Sequence, residues 1–454
     1  MTSLPEGILV GWYGDDFTGS AAVMEVLSFS GVPSVLFLEP PSPDMLARFP
    51  DMRAIGIAST ARSQSPGWME ENLPRALAFL DQIGARLVHY KTCSTLDSAP
   101  ELGSIGAALD IGARIFGSAP VPCLVAAPEM RRYQAFGHLF ASAGDRVFRL
   151  DRHPVMARHP VTPMRESDVA RHIGRQTVKR FGTLSVEDLE ADPSVAWDRE
   201  IQAGAEVVTL DAMTESHMAT NGALIWDGGH RFAVGSQGVE YALIEYWRKT
   251  GALNAEYRTA GVGQVDQLLV VSGSVSPTTA EQIDWAERNG FDILTLDPTL
   301  VLSDDEEAWA GFQQSVFATV AAGRDVVVCS ARGPDDPAVA RMWSAVQASG
   351  MDPTDANRRI GAALGHILEA CIRQFGLRRV VVSGGDTSGY ATEKLGIYAF
   401  SALAPTIPGA SLLQAHSDDP AMDRLQVALK GGQMGSADFF GWIKRGGGAA
   451  LEED

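Results

Sequence analysis

Residues 8–19, which read ILVGWYGDDFTG, set the pattern that decides the fold. A short apolar run at 8–13 stops at a glycine, and two carboxylates and a helix-length segment follow it. Continuous apolar runs rich in β-branched residues are typical of parallel strands that are buried on both faces. Similar runs recur along the chain with helix-length segments between them. The sequence therefore predicts an α/β architecture with mainly parallel sheets.

The apolar runs fall into two series, which predict two domains. The runs are at residues 8–13, 34–38, 54–58, 87–90, 122–126 and 207–210, and then at 268–271, 293–296, 326–329 and 380–382. The segment 247–264 is polar and glycine-dotted, so we place the boundary within 240–265. We expect one α/β domain at 1–245, where the run at 207–210 closes the series, and another at 262–445. The active site is expected in the cleft between them.

Composition narrows the class of protein and the partners. The chain has 454 residues, 45% hydrophobic and 20% charged, which excludes disorder and a coiled coil. The net charge of −19 repels nucleic acids and anionic membranes, so neither is an expected partner. A small anionic substrate must then meet local Lys or Arg side chains or helix N-termini.

Cysteine usage and targeting signals point to the cytoplasm. The four cysteines form no CxxC pair, and Cys123 and Cys329 lie in apolar runs, where buried thiols are expected. The N-terminus resembles no signal peptide, and no apolar stretch is long enough to span a membrane. We expect a cytoplasmic protein. We also expect a homodimer, because dimers are the commonest oligomers of soluble proteins.

Ligands of open parallel sheets bind beyond the carboxyl ends of the strands, so the residues that follow each apolar run are candidate ligand-binding residues. Asp15 and Asp16 follow the first run and could hold a substrate hydroxyl, accept its proton or face a metal; capping of the next helix is the alternative. We expect Asp15 to cap the turn and Asp16 to be the general base, with mutual repulsion raising one pKa. Asp97 is the competing base, and we expect it to brace its loop by accepting backbone N–H bonds.

Two further strand-end loops carry cationic and hydroxyl side chains. Arg62, in the STARS loop, offers a planar fork for a carboxylate, although alone it reads as a solvated loop residue. The run Lys91, Thr92, Cys93 and Ser94 resembles an anion-binding nest, and we predict that Arg62, Lys91 and the N–H groups of 92–94 bind an acid. No histidine partner for Cys93 is evident, so a covalent role is not expected.

The histidines in the RHP repeats, His153 and His159, raise the question of a metal. Flanking prolines exclude helical pairing of the two rings, and no third ligand is obvious. We expect a rigid structural or substrate-lining loop and no bound metal.

The second half carries three glycine-rich turns: SGSVSPTT at 272–279, SGGDTSG at 383–389 and KGGQMG at 430–435. Glycines let backbone N–H groups approach phosphate oxygens, and helix N-termini favour the negative charge. None of the turns is a P-loop and none is a Rossmann fingerprint. Together they predict a nucleotide phosphate site.

These loops, in this order, resemble the four-carbon acid sugar kinase family. The resemblance is carried by DDFTG, KTCSTLDS, RHPVTPM, SGSVSP, SGGDTSG and KGGQMG, and it extends over residues 8–443. It implies an N-terminal sugar-acid-binding domain and a C-terminal nucleotide-binding domain. Members transfer the ATP γ-phosphoryl group to threonate, erythronate or 3-oxo-tetronate, or in one subgroup to a branched oxo-sugar acid.

Carried onto this chain, the resemblance implies ATP and Mg²⁺ and a set of site residues. Asp16 would be the catalytic residue, the substrate would meet Asp15, Asp16, Arg62, Lys91, Thr92, Cys93 and Ser94, and ATP would meet Ser274, Gly384, Gly385, Asp386, Thr387 and Gly432. The chain departs from the family pattern at Leu96, Asp386 and Gly431, and its segment 235–240 is similar to a less studied subgroup. A non-catalytic sugar-acid sensor and a dehydrogenase are the rival readings.

Overall fold

The computed structural model describes residues 3–117, 120–159, 161–255, 257–302, 305–407 and 409–448. The chain divides into two compact units, the first ending at Arg258 and the second beginning at Thr259. This division falls within the stretch 240–265, and the α/β prediction is confirmed in both units. The placement of the active site between them stays a prediction. No helix in the described ranges is long and apolar enough to cross a membrane.

The first unit is built on a parallel sheet in the order β2-β3-β1-β4-β11-β5-β10-β9, with a separate antiparallel sheet β6-β7-β8. The strands are β1 (Val10–Gly14), β2 (Ser34–Phe37), β3 (Ala54–Ala58), β4 (Leu87–Lys91), β5 (Val121–Leu124), β6 (Arg132–Ala135), β7 (His138–Ala143), β8 (Arg146–Arg149), β9 (Phe181–Leu184), β10 (Val207–Leu210) and β11 (Phe232–Gly235). The helices are α1 (Phe17–Ser28), α2 (Pro43–Leu46), α3 (Pro66–Gln82), α4 (Ile105–Phe116), α5 (Val169–Gly174), α6 (Val186–Glu190), α7 (Pro193–Gln202), α8 (Glu215–Asp227) and α9 (Gly238–Lys249).

The strands of the second unit follow one another in the order β13-β14-β12-β15-β18-β17-β16. Its strands are β12 (Leu269–Ser272), β13 (Asp292–Thr295), β14 (Val326–Cys329), β15 (Arg379–Ser383), β16 (Ile397–Ala404), β17 (Leu412–Ser417) and β18 (Gln426–Lys430). Its helices are α10 (Pro277–Arg288), α11 (Pro298–Leu302), α12 (Glu306–Ala321), α13 (Pro337–Ser349), α14 (Pro353–Phe375), α15 (Gly385–Lys394) and α16 (Phe439–Arg445). Strands β16 and β17 run antiparallel to their neighbours, whereas the other pairings are parallel.

All ten apolar runs form strands, with ends within about two residues of those predicted. The expectation that residues 207–210 close the first series is wrong, because β11 follows and inserts between β4 and β5. The short runs of β9 and β11 and the polar antiparallel hairpins lack the long apolar signal on which the prediction depended. The buried state of Cys123 and Cys329 is confirmed, and the four cysteines are free thiols.

Strand order places the functional loops of each unit at one point. In the first unit, β1 lies between β3 and β4, so the chain changes direction across the sheet there. In the second unit, β12 lies between β14 and β15 in the same way. Such switch points open a crevice at the carboxyl ends of the strands, because the connections leave on opposite sides.

Candidate active site

Three loops of the first unit meet because their strands are parallel and in register. Gly14 at the end of β1 lies level with Ala58 of β3 and with Lys91 of β4. The backbone then ties the loops together: Asp15 N–H donates to Lys91 O at 3.0 Å, and Arg62 N–H donates to Asp15 O at 2.8 Å. The sequence prediction that these residues converge therefore has a geometric basis in β-sheet register.

The N-cap of α1 is Asp16, whereas Asp15 was expected to cap the turn. Asp16, with extended backbone, is the N-cap of α1, and its Oδ1 accepts the Gly19 N–H at 3.0 Å. Its Oδ2 accepts the Thr18 hydroxyl at 2.8 Å. The expectation that Asp15 caps the turn is wrong, because the Asp15 side chain turns into the sheet edge and is buried.

Arg62 holds both carboxylates. Its Nε and Nη2 donate to Asp15 at 3.2 and 2.7 Å, and Nη2 also donates to Asp16 Oδ1 at 2.7 Å. Among the residues that the structure describes, Nη1 has no acceptor. The guanidinium fork that was expected to take a substrate acid is therefore occupied by aspartates, and one nitrogen remains for a ligand.

Lys91 completes a cluster with two positive and two negative charges. Its buried Nζ lies 3.6 Å from Asp16 Oδ1. A Cβ on Gly19 would overlap both Lys91 Nζ and Asp16 Oδ1, so the glycine of the DDFTG loop leaves the space in which this ion pair forms. The cluster is electrically neutral, and it can therefore be buried at a strand edge at limited cost.

The two carboxylates differ in acidity and access. Burial raises the pKa of Asp15 above its ordinary value, against the lowering effect of Arg62 and Lys91. Burial also acts on Asp16, but Arg62, Lys91 and the bonds from Thr18 and Gly19 hold its pKa well below the usual range. The Asp16 side chain is 22% exposed and that of Asp15 is 3% exposed. Asp16 is thus an ionised carboxylate that a ligand can reach.

The KTCS loop offers fewer donors than expected. Thr92 N–H donates to Gly235 O at 2.7 Å, whereas its buried hydroxyl has no partner in the described part of the chain. The role of Thr92 in binding an acid stays a prediction. No acceptor is found for the N–H groups of Cys93 and Ser94 in the described part of the chain, and these two remain available. Burial raises the pKa of the Cys93 thiol even though Arg62 and Lys91 act in the opposite direction, which favours the unreactive protonated form.

Leu96 shapes this loop from inside. It is fully buried and has a φ of 54°, in the left-handed region. Its N–H donates to Cys93 O at 3.0 Å, which closes a turn around the loop. Asp97 accepts the Thr95 hydroxyl at 3.1 Å, whereas backbone N–H bonds were expected. The departure from the family at Leu96 therefore acts through the backbone of the turn.

A buried histidine–carboxyl hydrogen bond supports β4 and β11 below the site. His89 Nδ1 lies 2.7 Å from Glu240 Oε1, and His89 Nε2 lies 3.1 Å from Gly235 O. Both side chains are fully buried. Sequence analysis did not connect the two residues, because their separation of about 150 positions carries no local signal.

The histidines of the RHP repeats brace turns. His153 Nδ1 accepts the Val155 and Met156 N–H groups at 3.2 Å, and its Nε2 donates to Ser142 O at 3.2 Å. His159 Nδ1 accepts the Thr162 N–H at 3.0 Å. Both rings therefore form hydrogen bonds that stabilise their own loops.

In the second unit, two of the three predicted phosphate loops line one cavity of about 290 Å³. Ser274, Gly384, Gly385 and Thr387 form one wall, at the ends of β12 and β15. Gly384 has a φ of 122°, which a side chain would oppose, and Gly385 begins α15. This wall combines close backbone approach with a helix N-terminus, the arrangement that suits phosphate. The side chain of Asp386 lies outside the described residues, so its role stays a prediction.

Another part of the cavity lining is apolar, and the sequence did not predict it. It is formed by residues of α11, α13 and α14 together with the end of β14: Pro298, Ala331, Val339, Met342, Trp343 and Ile360. Asn357 supplies an amide at the same wall, and Trp343 is 46% exposed. An apolar slot with one amide beside a phosphate cradle has the chemistry that a purine base requires.

Gly432 does not line this cavity, and its contact with ATP stays a prediction. Its carbonyl accepts the hydroxyls of Ser276 and Thr279, the latter at 3.1 Å. Thr279 Oγ1 also lies 2.9 Å from Ser274 Oγ, and Lys430 Nζ donates to Thr279 Oγ1 at 3.2 Å. The KGGQMG turn thus positions Ser274 through a chain of hydroxyls.

The buried amine of Lys430 gives stability a pH dependence. Burial lowers the pKa of Lys430 to about 8, from 10.5 for an unperturbed lysine. Between these values the unfolded chain binds more protons than the folded one, so the free energy of unfolding should rise with pH by up to about 1.4 kcal/mol per pH unit. Urea unfolding of the wild type and Lys430→Met at pH 8, 9 and 10 measures this contribution. A difference between the two proteins that stays constant with pH contradicts the prediction, and the exposed Lys394→Met is the control.

Comparison with known proteins agrees with this two-part arrangement. A sugar-binding N-terminal domain model matches residues 10–243, and a nucleotide-binding C-terminal domain model matches residues 269–440. A 3-oxo-isoapionate kinase from Paraburkholderia graminis is 43% identical over 98% of this chain and 96% of its own length. A 3-oxo-tetronate kinase from Pectobacterium atrosepticum is 28% identical over 95% of this chain and 98% of its own length.

Solved structures share the fold. A Salmonella typhimurium protein has a TM-score of 0.79 and 26% identity, with 96% of this chain and 98% of that chain covered. A Haemophilus influenzae protein has a TM-score of 0.71 and 23% identity, with 96% and 99% covered. Fold, loops and matches together define an ATP-dependent sugar-acid kinase. The chain belongs to the four-carbon acid sugar kinase family, and the resemblance of its loops to that family is confirmed. The sensor is not favoured.

Proposed function

We propose that the protein transfers the γ-phosphoryl group of ATP to a hydroxyl of a small 3-oxo sugar acid. The observation that carries this proposal is the neutral cluster of Asp15, Asp16, Arg62 and Lys91, which leaves an accessible carboxylate at the switch point of the sugar-binding unit. A carboxylate held in this way can orient a substrate hydroxyl and accept its proton late in a loose transition state.

Among sugar acids, we propose 3-oxo-isoapionate before 3-oxo-tetronate. The 43% identity to the Paraburkholderia graminis kinase, against 28% to the Pectobacterium atrosepticum kinase, supports this order. Threonate and erythronate lack the 3-oxo group and rank below both. The buried turn at Leu96 and the donors at Cys93 and Ser94 are the local features that would distinguish these acids.

The substrate assignment is tested by a coupled assay of ADP formation with purified protein and each of the four acids. We expect the highest kcat/KM with 3-oxo-isoapionate. A higher value with 3-oxo-tetronate would reverse the order within the proposal. Absence of ADP formation with every acid, together with tight acid binding by calorimetry, would support a sensor instead.

We propose that ATP binds with Mg²⁺. The described residues include no group of three or more His, Cys, Asp or Glu side chains that could hold a metal. The proposal rests on the chemistry of ATP, since Mg²⁺ is usually bound through phosphate oxygens and neutralises their charge. We further propose that the kinase acts in the cytoplasm, where ATP is available. That the protein forms a homodimer remains a prediction, which analytical ultracentrifugation can test.

The nucleotide site is tested at Gly385. No atom lies within 4 Å of a Cβ placed on Gly385, so Gly385→Val should fold and extend its side chain into the cavity. We expect the KM for ATP to rise at least tenfold while sugar-acid binding, measured by calorimetry, changes little. Gly389→Val, in the same helix, also has free space and is the matched control, because Gly389 does not line the cavity. An equal loss of both ligands would contradict the assignment.

A further inference from the structure

Arg132 is a cation of the sugar-binding unit that the mechanism has not used. It begins β6, after the loop that leaves the carboxyl end of β5. Strand β5 is parallel to β11, and β11 is parallel to β4, which ends at Lys91. Ser236 Oγ donates to Val125 O at 2.7 Å and ties the loops after β11 and β5 together. Arg132 therefore follows a loop that leaves the sheet at the same edge as the candidate active site.

One side of the Arg132 guanidinium is anchored and the other is free. Nη1 donates to Met130 O at 3.2 Å, to Arg131 O at 3.4 Å and to Ser142 Oγ at 3.0 Å. Nε is buried and has no partner, and Nη2 has none among the residues that the structure describes. Nε and Nη2 form the edge with which an arginine takes a carboxylate in two parallel bonds. Arg62 uses this same edge to hold Asp15.

Among the described residues, no carboxylate forms an ion pair with Arg132. Burial lowers its pKa, and the neighbours that act on its charge are the thiol of Cys93, which raises the pKa, and Arg131, which lowers it. Because β5, β11 and β4 are neighbouring parallel strands, the loop that leads to Arg132 and the KTCS loop leave the sheet at the same edge. In the described part of the chain, the N–H groups of Cys93 and Ser94 have no acceptor. Unpaired donors of two kinds, a guanidinium edge and two backbone N–H groups, are therefore found on loops at this edge.

The chain segment around Arg132 is basic although the whole protein is acidic. Residues 131–180 contain eleven Arg or Lys and four Asp or Glu, against a net charge of −19 for the chain. Several of these cations are paired: Arg149, for instance, holds Asp151 through Nε and Nη2. Arg132 differs from Arg149, because no carboxylate among the described residues is bonded to Nε and Nη2 of Arg132.

We propose that Arg132 binds the carboxylate of the sugar acid through Nε and Nη2, with the N–H groups of Cys93 and Ser94 as the remaining donors. The inference rests on the proposed function and deepens it, since it names the residue that selects an acid over a neutral sugar. Arg62, whose equivalent edge holds the two aspartates, then positions the reacting carboxylate and keeps Nη1 for the substrate.

The test separates the carboxylate contact from a general loss of activity. Arg132→Met keeps a long side chain and removes the fork, whereas Arg132→Lys keeps the charge. Arg131→Met is the matched control, because the Arg131 guanidinium donates to the backbone at Gly144 and Asp145. Each protein is assayed with 3-oxo-tetronate, with 3-oxo-isoapionate and with erythrulose, in which a CH₂OH group replaces the carboxylate of 3-oxo-tetronate.

With Arg132→Met we expect kcat/KM for the acids to fall 10- to 100-fold, through KM, while kcat/KM for erythrulose changes less than twofold. Arg132→Lys should lie between the wild type and Arg132→Met, and Arg131→Met should match the wild type. An equal fall for acid and erythrulose, which a merely structural role would produce, overturns the inference, and so does an unchanged KM for the acids.

Failure of the proposed function would appear differently, as a wild type that forms no ADP with any acid. Calorimetric titration of threonate into the wild type and Arg132→Met then decides the binding role directly. Weaker binding by Arg132→Met supports the carboxylate site. Equal binding, or no binding by the wild type, overturns it.

Discussion

Replacing Asp16 with asparagine is expected to lower kcat at least 100-fold while the KM for ATP stays nearly unchanged. Asparagine is as effective an N-cap as aspartate, so α1 and the Gly19 contact should persist. The substitution removes the negative charge that would accept the substrate proton and that Lys91 and Arg62 hold in place. Losses of about 10²- to 10⁴-fold are typical when a positioned acid or base is removed.

The low pKa of Asp16 makes it a weak base, and its proposed role depends on placement rather than on basicity. In a loose phosphoryl-transfer transition state the proton leaves late, so a carboxylate within hydrogen-bond reach suffices. Asp15, whose pKa is raised by burial, has the more suitable basicity but lies below the surface with its oxygens on Arg62. Accessibility therefore favours Asp16.

Single-turnover kinetics with Asp16→Asn and Asp15→Asn measure the chemical step directly. If Asp16→Asn stays within a few-fold of the wild type and Asp15→Asn loses the chemical step, the base is Asp15 and Asp16 serves only as the cap. Thermal unfolding of both variants checks that each is folded.

Replacing His89 with leucine is expected to lower the free energy of unfolding by about 3–5 kcal/mol. The change leaves the Glu240 carboxylate fully buried, with its hydrogen-bond partner at Oε1 removed and Oε2 already without one. A buried polar group without any hydrogen-bond partner is among the most costly defects that a single substitution can introduce. Urea unfolding of the wild type and the variant measures the loss.

A double-mutant cycle isolates the pair. The combination of His89→Leu and Glu240→Leu should cost less than the sum of the single changes, because neither partner then leaves an unpaired buried group. Glu70→Gln, which removes an ion pair with Arg114 in which both side chains are about half exposed, should cost less than about 1 kcal/mol. Additive single effects at His89 and Glu240 would contradict the coupling.

Much of the architecture and of the site could be predicted because the signals are local. An apolar run such as 326–329 is long enough to identify a strand buried on both faces, wherever it lies in the sheet. A glycine followed by polar residues, as at Gly14 and Asp15, marks a strand end, and parallel register then brings such ends together. The family itself followed from six short loops in order, each within one stretch of chain.

The tertiary structure determines which partner each charged side chain of the site has. The sequence placed Asp15, Asp16, Arg62 and Lys91 at strand ends, but the partner of each charge depends on side-chain directions across three loops. Those directions made Asp16 the cap, engaged Arg62 with the aspartates and left the matching edge of Arg132 free. The His89–Glu240 pair and the apolar wall at Trp343 also could not be predicted from the sequence, because each of them joins residues that are distant along the chain. Local pattern fixes where a strand ends, whereas burial and pairing of charges depend on what the folded chain brings against them.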